Sequence, residues 1–245
     1  MKEERDNIIT GRNPVIEALK AQRDIEKICI ARGAEGSIKK IEAMASEGGV
    51  PVYYEDRRVI DRISPDNNQG VVAYVSEYRY CETEDILMHA EGRGEKPFIV
   101  LLDGIEDPRN LGAIMRTAEG AGAHGIIIPK RRAAGVGATV QKASAGAAEH
   151  ILCARVSNIA QTIDKLKNAG VFIAACDPGG ELYYRADLRG GIGLVIGGEG
   201  TGVGNLIKRK CDFSLAIPMM GKMESLNAGS AAAILMYEVR RQRDG

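Results

Sequence analysis

Apolar positions along the 245-residue chain fall into two alternations of helix-spaced and strand-like segments, separated by an acidic stretch. From residue 11, NPVIEALKAQ repeats apolar residues at helical spacing, with Asn13 placed as a cap and Pro14 at the first helical position. IEKICIA reads as a strand, SIKKIEAMASEGG as a helix stopped by glycine, and PVYY as a short strand. Asp56 to Ile63 predicts a short helix, and GVVAYVSEY a strand that closes the unit. Residues 1–76 are therefore expected to form a small αβα domain.

Residues 77–95, including ETEDILMHAEGRGE, have the composition of a linker with room for one helical turn. A longer alternation fills residues 96–245. FIVLLD, GIIIPK, ILCARV, VFIAACD, IGLVIGGE and FSLAIPM read as strands. Between and after them, NLGAIMRTAEGAGA, TVQKASAGAAEH, NIAQTIDKLKNAG, GNLIKRK and a terminal segment to Arg243 read as helices. Strands that are continuous apolar runs, alternating with helices, predict an α/β domain: a mostly parallel sheet covered on both faces.

Composition narrows the chemistry. Five cysteines form no CxxC pair, and with three scattered histidines they argue against a disulfide framework or a metal site. No apolar run is long enough for a membrane span and the start MKEERDN is not a signal peptide, so a cytoplasmic, metal-free protein is expected. The formal net charge is zero, yet it is unevenly spread. Residues 1–76 hold 12 Lys and Arg against 13 Asp and Glu, whereas residues 96–245 hold 19 against 14. The clusters KRR (130–132) and KRK (208–210) are candidate phosphate contacts, or else solvated faces.

Ligands of open parallel sheets bind at the carboxyl ends of the strands, so the loops there carry most information. Three are distinctive. After IVLLDGIEDPR comes NLGAIMRTAEGAGA, in which Asn110 is a possible N-cap and Arg116 stands among small and apolar neighbours, where a salt bridge to a nearby acid is its simplest role. IGGEGTGVG (196–204) satisfies neither GxGxxG nor GxxxxGK[ST], and leaves a bare backbone loop with Glu199 as its one charge. In IPMMGKMESLNAGSAAAILMYE (217–238), Ser225 or Asn227 is placed to cap a helix that is small or apolar nearly all round. Such a helix can cover its own sheet and also face a second subunit.

Taken in order, NxGAIxRTA, GGEGxG and IPM…SLN resemble the three motifs of the SpoU (TrmH-like) RNA ribose 2′-O-methyltransferases of the SPOUT superfamily. GRNPVIEAL and the pattern behind it resemble the L30e-like substrate-binding domain of the branch that methylates a guanosine of 23S ribosomal RNA. The resemblance implies a C-terminal trefoil knot, a homodimer, S-adenosylmethionine as methyl donor and RNA as substrate. It implies catalytic roles for Arg116, Asn110, Glu199, Ser225 and Asn227. It also implies a cofactor crevice at Gly197, Gly198, Ile217, Met219 and Leu226. One departure stands out: many members read SLNVS where this chain reads SLNAGS, with Ala228 and Gly229.

The family's arginine has been proposed as a general base. A guanidinium is nearly always protonated, titrating above about 12, so the expectation here is that Arg116 binds the phosphate beside the target ribose and stabilises the developing alkoxide. Arg12, Lys39, Lys40, Tyr53, Tyr54, Arg57 and Arg58 are candidate RNA contacts in the first domain. The alternatives are a transfer-RNA or thiostrepton-resistance-type target, and a non-catalytic RNA-binding module.

Overall fold

The chain divides into two units, Met1–Arg79 and Tyr80–Gly245, in a computed structural model that describes residues 8–20, 22–65, 68–75 and 78–245. The polar start MKEERDN, Ala21, and Ser76 and Glu77 of the expected GVVAYVSEY strand lie outside the described residues.

In the first unit, strands β1 (Ile8–Thr10), β2 (Ile25–Ala31), β3 (Val52–Glu55) and β4 (Val71–Val75) form a sheet ordered β1-β4-β2-β3. β2 and β3 are parallel, and β4 runs antiparallel to both β1 and β2. The helices are α1 (Arg12–Lys20), α2 (Ile38–Glu47) and α3 (Arg57–Ile63). α1 and α2 bury Val15, Ile16, Ile38, Ile41 and Ala45 on one sheet face, and Ile60 of α3 packs on the other. Two expectations need correction. β1 lay before the first predicted element, because three half-buried residues give too short a pattern to register. α1 starts at Arg12, so Asn13 lies within its first turn rather than capping it.

The second unit begins with a helix where a linker was expected. α4 (Thr83–Gly92) opens with Glu82 N–H donating to Asp85 Oδ2 at 2.8 Å, half of a capping box. Its Ile86 is fully buried, against Gly125, where a β-carbon would lie 2.6 Å from the Ile86 side chain. The spacing of Ile86 and Ala90 is helical, and the acidic residues between them form the outer face.

Six parallel strands follow: β5 (Phe98–Asp103), β6 (Gly125–Pro129), β7 (Leu152–Val156), β8 (Phe172–Leu182), β9 (Ile192–Gly197) and β10 (Phe213–Ala216), ordered β10-β8-β9-β5-β6-β7. α4, α7 (Ile159–Asn168) and α8 (Asn205–Lys210) pack Ile86, Ile163, Leu166 and Ile207 against one face. α5 (Pro108–Gly120) and α9 (Ala228–Asp244) lie on the other, with α6 (Ala138–Ala143) against α5. The sheet is thus covered on both faces, as its unbroken apolar strands require. TVQKASAGAAEH is not one helix: α6 ends at Ala143, Ala145 and Gly146 take positive φ, and Ala147–Glu149 forms a separate single turn.

In strand order, the chain goes from β5 outward to β6 and β7, then returns to β8 and β9 on the other side of β5. The carboxyl ends of β5 and β9 therefore sit side by side where the connections diverge, the place where such sheets receive ligands.

Candidate functional site

Three side chains from separate loops meet beyond β5 and β9. Asn110 Nδ2 donates to Glu199 Oε1 at 3.1 Å. Asn227 Nδ2 donates to the same oxygen at 2.5 Å and to Asn110 Oδ1 at 3.0 Å. Each is positioned by its own backbone context. Asn110 does not cap α5, contrary to expectation. Asp107 does, accepting from Arg109 N at 2.8 Å, with Pro108 at the first helical position. Asn110 is thereby moved inside the first turn with its amide uncommitted to the backbone. Asn227 does cap α9, its Oδ1 accepting from Gly229 N at 2.9 Å and Ser230 N at 3.3 Å, which leaves its NH2 to face Glu199 and Asn110.

Glu199 is carried by a tight glycine loop. Gly198 N donates to Asp103 O and Gly204 N to Asp103 Oδ2, each at 2.8 Å, so the loop is laced to the end of β5. A β-carbon on Gly197 would overlap the backbone of Gly202 and Val203, and one on Gly198 would overlap the carbonyl of Gly104. Gly200 and Gly202 take φ of 80° and 61°. Asp103 and Gly104 were not singled out by sequence reading, although the DG that ends FIVLLDG marks a turn at a strand's carboxyl end.

Gly229, the departure within the third motif, has a packing role. A β-carbon there would stand 3.2 Å from Asn227 Oδ1 and 3.6 Å from the Ala113 β-carbon. Its absence lets the start of α9 approach α5 while keeping the Asn227 cap short.

The remaining predicted residues lie apart from this cluster. Ser225 is exposed, Ile217 and Met219 are half-buried, and Leu226 is 37% exposed. Among the described residues, 217–226 make no hydrogen bond or ion pair, so the backbone donors and acceptors of this loop are uncommitted. The Arg116 side chain is exposed and makes neither a salt bridge, its simplest role within the helix alone, nor a hydrogen bond among the described residues. Six residues on from Asn110, it stands about 9 Å along the α5 axis and about 120° around it. Within one chain it does not join the Asn110–Glu199–Asn227 cluster. It shares a face instead with Arg109, Ala113 and Gly120, all exposed. Beside that face, the exposed Tyr237 of α9 has its hydroxyl 3.3 Å from where a Gly120 β-carbon would be.

The two basic clusters differ. Lys208 and Lys210 of KRK are ion-paired with Asp177 and Asp164, whereas Arg131 and Arg132 of KRR are exposed and without ion pairs among the described residues. In the first unit, Arg12 Nε donates to Gln69 O at 3.0 Å and Arg57 Nε to Asp61 Oδ1 at 3.1 Å. Lys39, Lys40 and Arg58 are exposed, as are Tyr53 and Tyr54 on the edge strand β3. Burial pushes the thiols of Cys81, Cys176 and Cys211 up to about 11, which makes them poor nucleophiles. Among the described residues no group of three metal-ligating side chains comes together, and no helix is long and apolar enough to cross a membrane.

Comparison with known proteins bears on this geometry. Residues 97–237 match the SpoU rRNA Methylase family, and residues 8–81 match the RNA 2′-O ribose methyltransferase substrate binding family. The chain is 45% identical over 246 aligned positions to a putative TrmH family tRNA/rRNA methyltransferase, YacO, of Bacillus subtilis, covering 100% of this chain and 98% of that one. An rRNA methyltransferase from Sinorhizobium meliloti, solved with bound AdoMet, is 30% identical with a TM-score of 0.62, over 98% of this chain and 90% of that one. A TrmH/SpoU tRNA modifying enzyme of A. aeolicus is 27% identical with a TM-score of 0.56, over 66% of this chain and 83% of that one.

Proposed function

Because the chain belongs to the SpoU rRNA Methylase family, we propose that this RNA methyltransferase moves a methyl group from S-adenosylmethionine to a ribose 2′-hydroxyl of ribosomal RNA, on a guanosine of 23S RNA. The observation that carries the site assignment is the convergence of the Asn110 and Asn227 amides, from distant parts of the chain, onto Glu199 Oε1. Ribosomal rather than transfer RNA is favoured by coverage. The rRNA methyltransferase of S. meliloti aligns with 98% of this chain, whereas the A. aeolicus tRNA-modifying enzyme aligns with 66%. The substrate-binding match over residues 8–81 fits a target that needs a second point of attachment.

The loop from Ile217 to Leu226 fits S-adenosylmethionine. Half-buried Ile217 and Met219 offer an apolar surface, and the uncommitted backbone beside them offers donors and acceptors for an adenine edge and a ribose. Gly197 and Gly198 bring the neighbouring loop in close, because neither carries a side chain to hold it off. When bound, S-adenosylmethionine supplies an electrophilic methyl group on a sulfonium.

This chain's own residues then orient the nucleophile. Two amide donors fix Glu199 Oε1, and its Oε2 accepts a hydrogen bond from the ribose hydroxyl, aiming the 2′-oxygen in line. Glu199 thus orients the hydroxyl, and its Oε2 takes up the hydroxyl proton as the oxygen–carbon bond forms. Ser225, exposed two residues before Asn227, is assigned to the same polar shell. Arg116 binds the adjacent phosphate and stabilises the developing alkoxide, a task that suits a fixed cation.

Arg116 reaches that position in a homodimer. Ala113 and Gly120 flank it with almost no side chain, and α9 adds the half-buried Ala233 and Ile234 and the exposed Tyr237. Small residues around an unpaired cation suit close approach of a second copy, whose Arg116 would then face the first copy's Asn110 cluster.

The test is methyl transfer to isolated 23S ribosomal RNA lacking its native modifications, with mapping of 2′-O-methylated positions, beside transfer RNA. A single methylated guanosine in 23S RNA is expected. Methylation of transfer RNA alone would overturn the substrate assignment, and failure to bind S-adenosylmethionine would overturn the activity.

A further inference from the structure

The second unit handles its cations in two ways. Away from the site, Lys165, Lys167, Lys208, Lys210, Arg240 and Arg241 are each ion-paired with a carboxylate. Between residues 109 and 142, Arg109, Arg116, Arg131, Arg132 and Lys142 are all exposed and make no ion pair among the described residues. Lys96, Arg185, Arg209 and Lys222 are exposed and without ion pairs among the described residues as well, but they are scattered along the chain. The five between residues 109 and 142 are grouped, and produce a local positive potential that the net charge of the chain conceals.

Arg131 and Arg132 sit on a loop held at both ends and in its middle. Lys130 N donates to Val156 O at 2.8 Å, Ala134 N to Ile105 O at 2.8 Å, and Val136 N to the Tyr80 hydroxyl at 2.7 Å. Just beyond, α6 is locked to α5, where a β-carbon on Gly112 would stand 2.5 Å from that of Ala143. The Ile105 contact ties the loop to the segment that leads into α5 and Asn110. Arg132 has φ of 54°, a conformation that costs a side-chain-bearing residue energy and persists only where surroundings enforce it. The loop is therefore a preformed mount for two guanidinium groups beside the site. Of the carboxylates nearby in sequence, Asp107 is engaged in capping α5 and Glu149 accepts from Gln141 Nε2, and neither Glu106 nor Glu119 is ion-paired with these cations.

We infer that Arg131 and Arg132 form a phosphate clamp that holds the RNA backbone next to the methylated nucleotide, with Arg109 extending it toward Asn110. Lys208 and Lys210 of KRK, paired with Asp177 and Asp164, have no such role. The clamp rests on the RNA methyltransferase reading above, and it contributes to binding of RNA rather than to the chemical step. A phosphate-only contact weakens all RNA sequences alike and shows in the salt dependence of binding.

The test compares Arg131→Ala/Arg132→Ala with Lys208→Ala/Lys210→Ala in the full chain, using fragments of 23S RNA. Expected for the first variant are a KM for RNA raised about tenfold or more and kcat within about twofold. The slope of log affinity against log salt should be shallower by about 1.4 to 1.8, that is 0.7 to 0.9 per phosphate. Affinity for S-adenosylmethionine should not change. The second variant should shift neither KM nor slope. A wild-type protein that methylates RNA, paired with an Arg131→Ala/Arg132→Ala variant of unchanged KM and slope, would overturn the clamp alone. A wild-type protein that binds RNA with the expected slope but transfers no methyl would overturn the activity and leave the clamp standing. If the double variant does not fold, Arg131→Gln alone, at a position free of positive φ, should show about half the change in slope, and an unchanged slope overturns the clamp.

Discussion

The side-chain amide of Asn227 donates to Glu199 Oε1 at 2.5 Å while its carbonyl oxygen accepts from Gly229 N at 2.9 Å, so one amide group both starts α9 and holds the Glu199 carboxylate. The two tasks are separable by substitution. Asn227→Ala removes both, and should lower stability by about 1 kcal/mol through the lost cap and abolish most methyl transfer. Asn227→Asp keeps a capping oxygen but sets a second carboxylate beside Glu199. Denaturation midpoints and single-turnover rates should show stability near wild type for Asn227→Asp with transfer as low as in Asn227→Ala. Recovery of transfer by the aspartate would mean that the cap, not the donor, matters.

The glycine loop makes a second, sharper expectation. At Gly198 a β-carbon meets the carbonyl of Gly104, a backbone atom that moves only with the end of β5. Gly198→Ala should cost roughly 1–3 kcal/mol, as overpacking does, and should weaken S-adenosylmethionine binding at least tenfold by displacing the loop. Gly200→Ala meets no atom within 4 Å, but stands at φ of 80°, and its cost should come from backbone strain alone. Calorimetric titration of both variants checks this, and equal affinities would remove the close-approach argument.

How much of this was legible in the residues follows physical lines. Strands such as FIVLLD and IGLVI are unbroken apolar runs because both faces of their sheet are covered, and they were readable for that reason. Asn110, Glu199 and Asn227 each stand in a distinctive loop, so they could be named. Their mutual hydrogen bonds cross 89 and 117 residues of chain and leave no local trace. The acidic stretch before Lys96 looked like a linker because its charges outnumber its apolar residues, although two buried positions, Ile86 and Ala90, are enough to seat a helix. For α5 taken alone a salt bridge was the simplest role for Arg116, since sequence cannot show that its side chain is left without an acid partner among the described residues.

His124 is buried, and its ring fixes its own protonation state. Phe98 N–H donates to Nδ1 at 2.9 Å, so the hydrogen of the neutral ring lies on Nε2, facing Glu95 Oε2 at 3.1 Å. Burial lowers the His124 pKa below its ordinary 6.5, against the opposing pull of Glu95, with Arg93 and Arg243 adding to the lowering. The unfolded chain then binds more protons than the folded one just below pH 6.5, so stability falls as pH drops through that value and levels off below the folded-state pKa. Urea midpoints between about pH 8 and pH 5 should show this loss. His124→Asn, which keeps an acceptor for Phe98 N–H without a titrating ring, should flatten the curve over the same window. An unchanged slope in that variant would assign the loss to other groups.

The arginine at the centre of α5 gives the most discriminating experiment. If Arg116 serves the Asn110 cluster of a second copy, Arg116→Ala and Asn227→Ala chains are each inactive alone yet complementary when mixed. Random exchange makes half of the dimers mixed, and each mixed dimer has one site with both an intact cluster and an intact arginine. Activity should return to about a quarter of wild type. If Arg116 served its own chain, every site in the mixture would lack one component and activity would stay at the level of the variants. Alongside, Arg116→Lys keeps the charge but loses the planar fork of donors. It should retain part of the RNA affinity that Arg116→Ala loses, with a single-turnover rate between the two. Unchanged RNA affinity in Arg116→Ala with a collapsed rate would reject the phosphate anchor and leave Arg116 acting on the 2′-oxygen alone.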